Sequence, residues 1–237
     1  EILKIRMNMN IIIFFFLSFL SYISASFNAT VSSSGTMGFD VSQPISTDDA
    51  KCMKDNGYTF VIPRAYYSSG SPDKGSCTTL DSAKDAGLKG DVYMFPCPTC
   101  SSSAESQLKD MVNYLNSNCK SSWSGRSWLD IEGSQYWLGD TDKNREWYQD
   151  LVDACKKNSK SCGIYSSASQ WSAIFGSTSY AYGANLPLWY AHYDGNPSFS
   201  DFDSFGGWSK PTIKQFQGDV DSKPCSPFID KNYAEGF

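Results

Sequence analysis

The chain of 237 residues contains one histidine, His192. A Ser-His-Asp or Cys-His catalytic centre would have to be built on that single residue, whose setting in "WYAHY" reads as a packed or rim position. The sequence has no H-E-x-x-H zinc motif, no P-loop and no EF-hand pattern, so no metal and no cofactor is expected. No Gly-rich phosphate loop follows any early strand, which argues against an open nucleotide-binding sheet. After the first 26 residues there is no second long apolar run, so no membrane association is expected once the leader is gone. Basic residues are outnumbered, 20 against 25 acids, for a net charge of −5. A chain of that sign gains no general attraction to nucleic acid or to anionic membranes.

The opening segment is rich where the remainder is poor. Lys4 and Arg6 precede an apolar stretch, Ile11 to Leu20, and small residues follow at Ser24, Ala25 and Ser26. This is the pattern of a secretory signal peptide over residues 1–26, too short in its apolar part to span a bilayer. Met7 and Met9 are available starts, which puts the native status of residues 1–6 in question. Residues 27–237 are then one domain with room for a large core. All eight cysteines fall in that part. Secretion makes full pairing the default, with Cys97–Cys100 a local bridge and Cys155–Cys162 a second pair. The expected location is extracellular or in a lumenal, phagosomal or lysosomal, compartment, and Asn28-Ala29-Thr30 is a glycosylation sequon.

Strand-like and helix-like segments alternate along the domain. Strands are expected at 36–42, 58–67, 88–96, 127–133 and 162–167, and helices at 46–57, 78–87, 101–118, 141–158 and 167–176. Ser46 and Thr141 are the candidate N-caps, and Pro63 argues for a bulge or an end in the second strand. "PLWYAHY", "IKQFQG" and "FIDKNYA" read as three further strands without helices between them. The fold class is therefore α/β: a β/α barrel of eight strands and about five helices.

Acids stand where such a barrel places its chemistry. "SWLDIEG" carries Asp130 and Glu132 two residues apart in an apolar run, where folding alone has no use for a pair of carboxylates. Asp40 lies in "GFDVS" and Asp230 in "FIDKN", on first and last strands that become neighbours when a barrel closes. Crowded carboxylates cannot all ionise, and a retained proton beside a bare carboxylate is the apparatus of glycosidic bond cleavage. Aromatic residues make up 15% of the chain. Tyr93, Trp189, Tyr165, Trp137 and Tyr66, at presumed strand ends, are candidate platforms for sugar rings.

In their order, "GFDVSQ", "GDVYMF", "WLDIEG", "LWYAHY" and "FIDKNY" resemble the lysozymes of glycoside hydrolase family 25, over roughly Met37 to Tyr233. The resemblance implies a flattened, irregular barrel and a monomer acting on bacterial peptidoglycan. The bond cut would be the β-1,4 link between N-acetylmuramic acid and N-acetylglucosamine. By motif, Glu132 would be the general acid, Asp130 its partner, and Asp40 and Asp230 the flanking carboxylates. A family 18 chitinase needs D-x-x-D-x-D-x-E, and this chain has Trp128 and Gly125 where two of those aspartates would stand. The remaining alternative is a barrel that binds glycan without cutting it; the presence of all four acids argues for the enzyme.

Overall fold

The computed structural model describes residues 35–236. The signal-peptide segment and Asn28 lie outside them. Eight strands close a barrel in the order β1 (Thr36–Val41), β10 (Phe228–Ala234), β9 (Ile213–Asp221), β8 (Leu188–Ala191), β7 (Ser161–Ser166), β6 (Arg126–Asp130), β5 (Val92–Met94) and β2 (Tyr58–Tyr67), with β2 returning to β1. Two short strands, β3 (Ser71–Pro72) and β4 (Lys89–Gly90), add to β2. The helices are α1 (Thr47–Asp55), α2 (Gly75–Asp85), α3 (Ala104–Asn118), α4 (Thr141–Asn158) and α5 (Ala168–Phe175).

All pairings around the barrel are parallel except those of β10, which runs antiparallel to both β9 and β1. The cause is connection length. Only six residues, 222–227, join β9 to β10, enough for a hairpin but not for the crossover a parallel pair requires. The inversion brings the start of β10, not its end, to the mouth of the barrel. Asp230 reaches the mouth by that route, and its register partner across β1 is Asp40.

Three local departures from the sequence reading have simple causes. The segment expected as one strand over 88–96 is broken at Asp91, whose carboxylate accepts from Ser124 Oγ at 2.5 Å and from Trp128 Nε1 at 3.0 Å. The cap of α4 is Asp140, which accepts from the backbone N–H groups of Asp142 and Lys143, rather than Thr141. The irregularity expected at Pro63 falls just beyond it, where the β2–β5 register shifts between Arg64 and Tyr66. Ser46 does cap α1, in a reciprocal capping box with Asp49.

Side chains divide by strand parity. Phe60, Ile62, Trp128, Tyr165, Trp189, Ile213 and Ala234 fill the barrel interior. Leu129, Ile131 and Ile164 face outward into the larger apolar layer under α3, α4 and α5. The cysteines form four bridges: Cys52–Cys225, Cys77–Cys119, Cys97–Cys100 and Cys155–Cys162. The first ties α1 to the β9–β10 turn and so joins the two ends of the barrel sequence. Among the described residues no helix is long and apolar enough to cross a membrane.

Candidate active site

β6 carries Trp128 and Asp130 inward, one above the other. Trp128 belongs to the barrel filling, so Asp130 sits on an aromatic floor at the strand's last position. Glu132 lies past the strand end, and its backbone is pinned there. Trp137 Nε1 donates to the Glu132 carbonyl at 3.0 Å, and the Gly133 N–H donates to Gln170 Oε1 at 2.9 Å. Gly133 takes φ +63°, a left-handed turn that releases the chain from the strand direction.

Asp40, Asp130, Glu132 and Asp230 line one pocket of about 80 Å3, with Tyr93, Tyr165, Trp189, Tyr193 and Gln215 completing its wall. All four carboxyl groups have their proton affinity raised. Burial is the leading cause in every case. The charges of Glu132 and then Asp40 add to the effect at Asp130, and the charge of Asp230 adds to it at Asp40 and at Glu132. Burial and like charge both act against ionisation, so the cluster keeps protons into the range where isolated carboxyls have lost them.

The hydrogen bonds separate the acids into two kinds. Asp40 Oδ1 accepts from Asn232 Nδ2 at 2.7 Å and Gln215 Nε2 at 2.9 Å. Asp230 accepts from the Asp219 backbone N–H at 2.6 Å, and Asp219 holds φ 52°. These donors favour the anions. Asp130 Oδ1, by contrast, is buried without a partner. An orphaned acceptor in that position is open to a ligand donor, or to a proton of its own.

Gln215 and Asn232 form a frame that sequence reasoning missed. The Gln215 amide also donates to Asp230 Oδ2 at 3.3 Å, and its carbonyl accepts from Tyr165 and Tyr193 hydroxyls at 2.6 and 2.7 Å. Asn232 Oδ1 accepts from Trp189 Nε1 at 2.8 Å. The available signal was parity: Gln215 follows the inward Ile213 by two, and Asn232 follows Asp230 by two.

Not every aromatic expected at the sugar site is there. Tyr93 and Tyr165 line the pocket. Trp189 does too, but as buried floor, edge-on to Tyr165, Trp128 and Tyr93. Tyr66 is fully buried in the layer beneath α3 and presents no face to a ligand. Its displacement follows from the register shift after Arg64, which turns it from the inward side to the outward. Trp137 is buried against Trp147 and Phe175 and acts on the site through the Glu132 carbonyl. Tyr193 is the exposed ring of the pocket, 61% accessible. His192 stands on the rim, 56% exposed at its side chain and paired with Asp201.

Comparison with known proteins gives this geometry a family. The lysozyme-like protein 1 family matches residues 31–216. The chain is 45% identical over 204 residues to the probable GH family 25 lysozyme 2 of Dictyostelium discoideum, covering 84% of this chain and 91% of that one. The chain belongs to the glycoside hydrolase family 25 lysozymes. It is accordingly a glycoside hydrolase. Lysozyme-like protein 5 of Caenorhabditis elegans is 37% identical over 92% of this chain and 98% of its own. Counting factor 45-1 of D. discoideum is 32% identical, over 82% of this chain and 64% of its own length. Among solved structures, the muramidase from Trichobolus zukalii is 26% identical with a TM-score of 0.66, over 85% of this chain and 94% of that one. The family GH25 lysozyme from Aspergillus fumigatus, 23% identical over 86% and 95% of the two chains, shares the fold at a TM-score of 0.67.

Proposed function

We propose that this lysozyme hydrolyses the β-1,4 bond between N-acetylmuramic acid and N-acetylglucosamine in bacterial peptidoglycan, with Glu132 as proton donor. One observation carries the reading: four carboxyls share a pocket in which burial and mutual charge hold protons, with hydrogen-bond donors opposing that effect at Asp40 and Asp230. Glu132 gives its proton to the glycosidic oxygen as the C1–O bond breaks. Asp130, with an unpartnered oxygen in the pocket, meets the N–H of the substrate acetamido group or the positive charge that develops at C1. Asp40 and Asp230 add negative potential on the opposite wall. Water supplies the hydroxyl of the new reducing end, and its remaining proton restores the acid. Tyr93 and Tyr193 are the rings placed to meet the sugar.

The four disulfides support secretion or a lysosomal lumen as the place of work. The second reading, a glycan-binding scaffold without cleavage, draws on the counting-factor relatives. Borohydride labelling of digested peptidoglycan, read by mass spectrometry, separates them. Label on muramic acid is the expected result. Label on glucosamine would identify a glucosaminidase, and wall binding without new reducing ends would identify a lectin.

A further inference from the structure

The end of the barrel opposite the carboxylates holds a larger cavity, about 570 Å3, at the starts of β4, β6 and β7. Its depth below the active site follows from β6 itself. Arg126 begins the strand at this cavity and Asp130 ends it at the other mouth, four residues or roughly 13 Å away. Four cations line the cavity: Lys84, Lys89, Arg126 and Lys160. Among the described residues one carboxylate, Asp91, lines it, buried and occupied by Ser124, Trp128 and, at 3.7 Å, Arg126, while Asp81 beside it accepts from Ser122 Oγ at 2.5 Å. Lys84 donates to the neutral Ser121 hydroxyl at 3.0 Å. Neither Lys84 nor Lys160 has a carboxylate within ion-pair distance among the described residues.

The walls are fixed. The Ser121–Gly125 loop is held by the Cys77–Cys119 bridge and by the Ser124 N–H on the Gly90 carbonyl at 2.9 Å. Trp123 packs its ring into the apolar layer and donates Nε1 to the Arg126 carbonyl at 3.1 Å. Gly125, at φ +95°, accepts the Lys160 backbone N–H at 3.0 Å, and the lysine stem lies where a Cβ on that glycine would be. Lys160 is thereby set at the rim by its backbone. In a chain of net charge −5, a cavity with fixed walls that gathers Lys84, Lys89, Arg126 and Lys160 is a local concentration of cations.

We infer that this cavity is an anion-binding exosite for a phosphodiester polymer of the bacterial wall, a polyol or sugar phosphate. The inference rests on the proposed wall substrate. Ammonium groups serve phosphates as point charges without demanding the planar geometry of carboxylates. A cavity of this volume takes a run of such a polymer, which the single unpaired lysine of an ordinary surface would not retain. The exosite would tether the acidic enzyme to an anionic wall at one end of the barrel and leave the catalytic mouth free at the other.

The test compares wild type with Lys84→Gln/Lys160→Gln, which keeps the stems and removes two charges. Three readouts are taken: pull-down on intact walls and on walls stripped of phosphodiester polymer, affinity for poly(glycerol phosphate), and hydrolysis of soluble wall fragments. Wild type should bind intact walls at least about tenfold more tightly than stripped walls. The variant should lose that difference, flatten the salt dependence of polymer binding by nearly two units of log–log slope, and hydrolyse soluble fragments as wild type does. Equal binding of wild type to both walls overturns the inference, as does an unchanged variant. So does equal affinity for a DNA duplex of matched phosphate number, which would mark a general polyanion patch. Failure of fragment hydrolysis by wild type would refute the proposed function instead, leaving the polymer affinity to be judged separately.

Discussion

Replacing Gln215 by Met tests whether the amide frame sets the charge state of the pocket. Met keeps length and volume but removes two donors and the acceptor shared by Tyr165 and Tyr193. Gln215 is 2% exposed, so water cannot readily substitute. The bond to Asp40 at 2.9 Å, a bond to a charged group, is worth about 1.5–3 kcal/mol. The buried Tyr165 hydroxyl loses its acceptor, adding about 1–3 kcal/mol, whereas the exposed Tyr193 can turn to solvent. The bond to Asp230 at 3.3 Å is long and adds little. The sum, about 2.5–6 kcal/mol, should lower Tm by roughly 5–24 °C for a domain of this size and still leave a folded protein. The catalytic consequence has a definite sign. The Gln215 and Asn232 amides oppose the burial that raises the Asp40 pKa. Removing one of them lets that pKa climb further. The acid limb of the pH–rate profile should move to higher pH. Melting curves and pH profiles on soluble wall fragments read both effects. A lower Tm with an unmoved acid limb would reduce Gln215 to a packing residue. No change in either would refute the frame.

Three further outcomes follow from the same geometry. Glu132→Gln should fold normally and lose on the order of 10²–10⁴-fold in wall-fragment hydrolysis, the usual effect of removing a general acid; near-normal turnover would reassign the proton donor. Asp130→Asn should be more stable than wild type at neutral pH. Burial, then Glu132 and Asp40, raise the Asp130 pKa in the folded state, so the native protein holds a proton that the unfolded chain releases. Wild-type stability from this group therefore falls as pH rises from the ordinary carboxyl range through the raised folded value. The advantage of the variant in Tm should grow across that window and vanish below it, and an advantage independent of pH would sink the argument. Finally, removing Cys52–Cys225, 173 residues apart, should cost about 5 kcal/mol by loop entropy, against about 2 for Cys97–Cys100, three apart. Equal losses in denaturant titrations would contradict that ordering.

How far the sequence reached depends on which physical signal each element carries. Strong periodicity placed the five helices and eight principal strands, because amphipathic spacing survives without tertiary context. Closure of a barrel from one chain made Asp40 and Asp230 neighbours, and they are register partners. Hidden from the sequence was anything set by a local break in the strand pattern. Tyr66 counts as inward by simple alternation from Phe60 and Ile62, but the shift after Arg64 reverses it. Glu132 reads as strand beside Asp130, yet the strand stops at 130 and a left-handed glycine follows. Gln215 looks like any polar residue of an exposed strand until the inward face is known. The four acids of the barrel mouth were legible through their convergence, since each alone could be a cap, a turn residue or half of an ion pair. The amides that hold them were not, because amides fit everywhere.

The frame also explains which neighbours the acids lack. Among the described residues no Lys or Arg forms an ion pair with Asp40, Asp130, Glu132 or Asp230. Arg64 is the cation that acts on Asp130, and its guanidinium is directed elsewhere, to Asp73 at 3.0 Å and the Ser42 carbonyl at 2.8 Å. A cation seated in the pocket would offset the burial of all four carboxyls and let them ionise together. It would stabilise the fold and remove the acid. Neutral donors do something a cation does not: amides and a backbone N–H favour ionisation at the oxygens they touch, Asp40 and Asp230, and leave Asp130 and Glu132 to burial and repulsion. The barrel thus leaves all four carboxyls with raised proton affinity, and its hydrogen bonds oppose that rise at Asp40 and Asp230 but not at Asp130 or Glu132. The stability forgone at neutral pH, which Asp130→Asn should recover, is the physical counterpart of keeping a proton available for transfer.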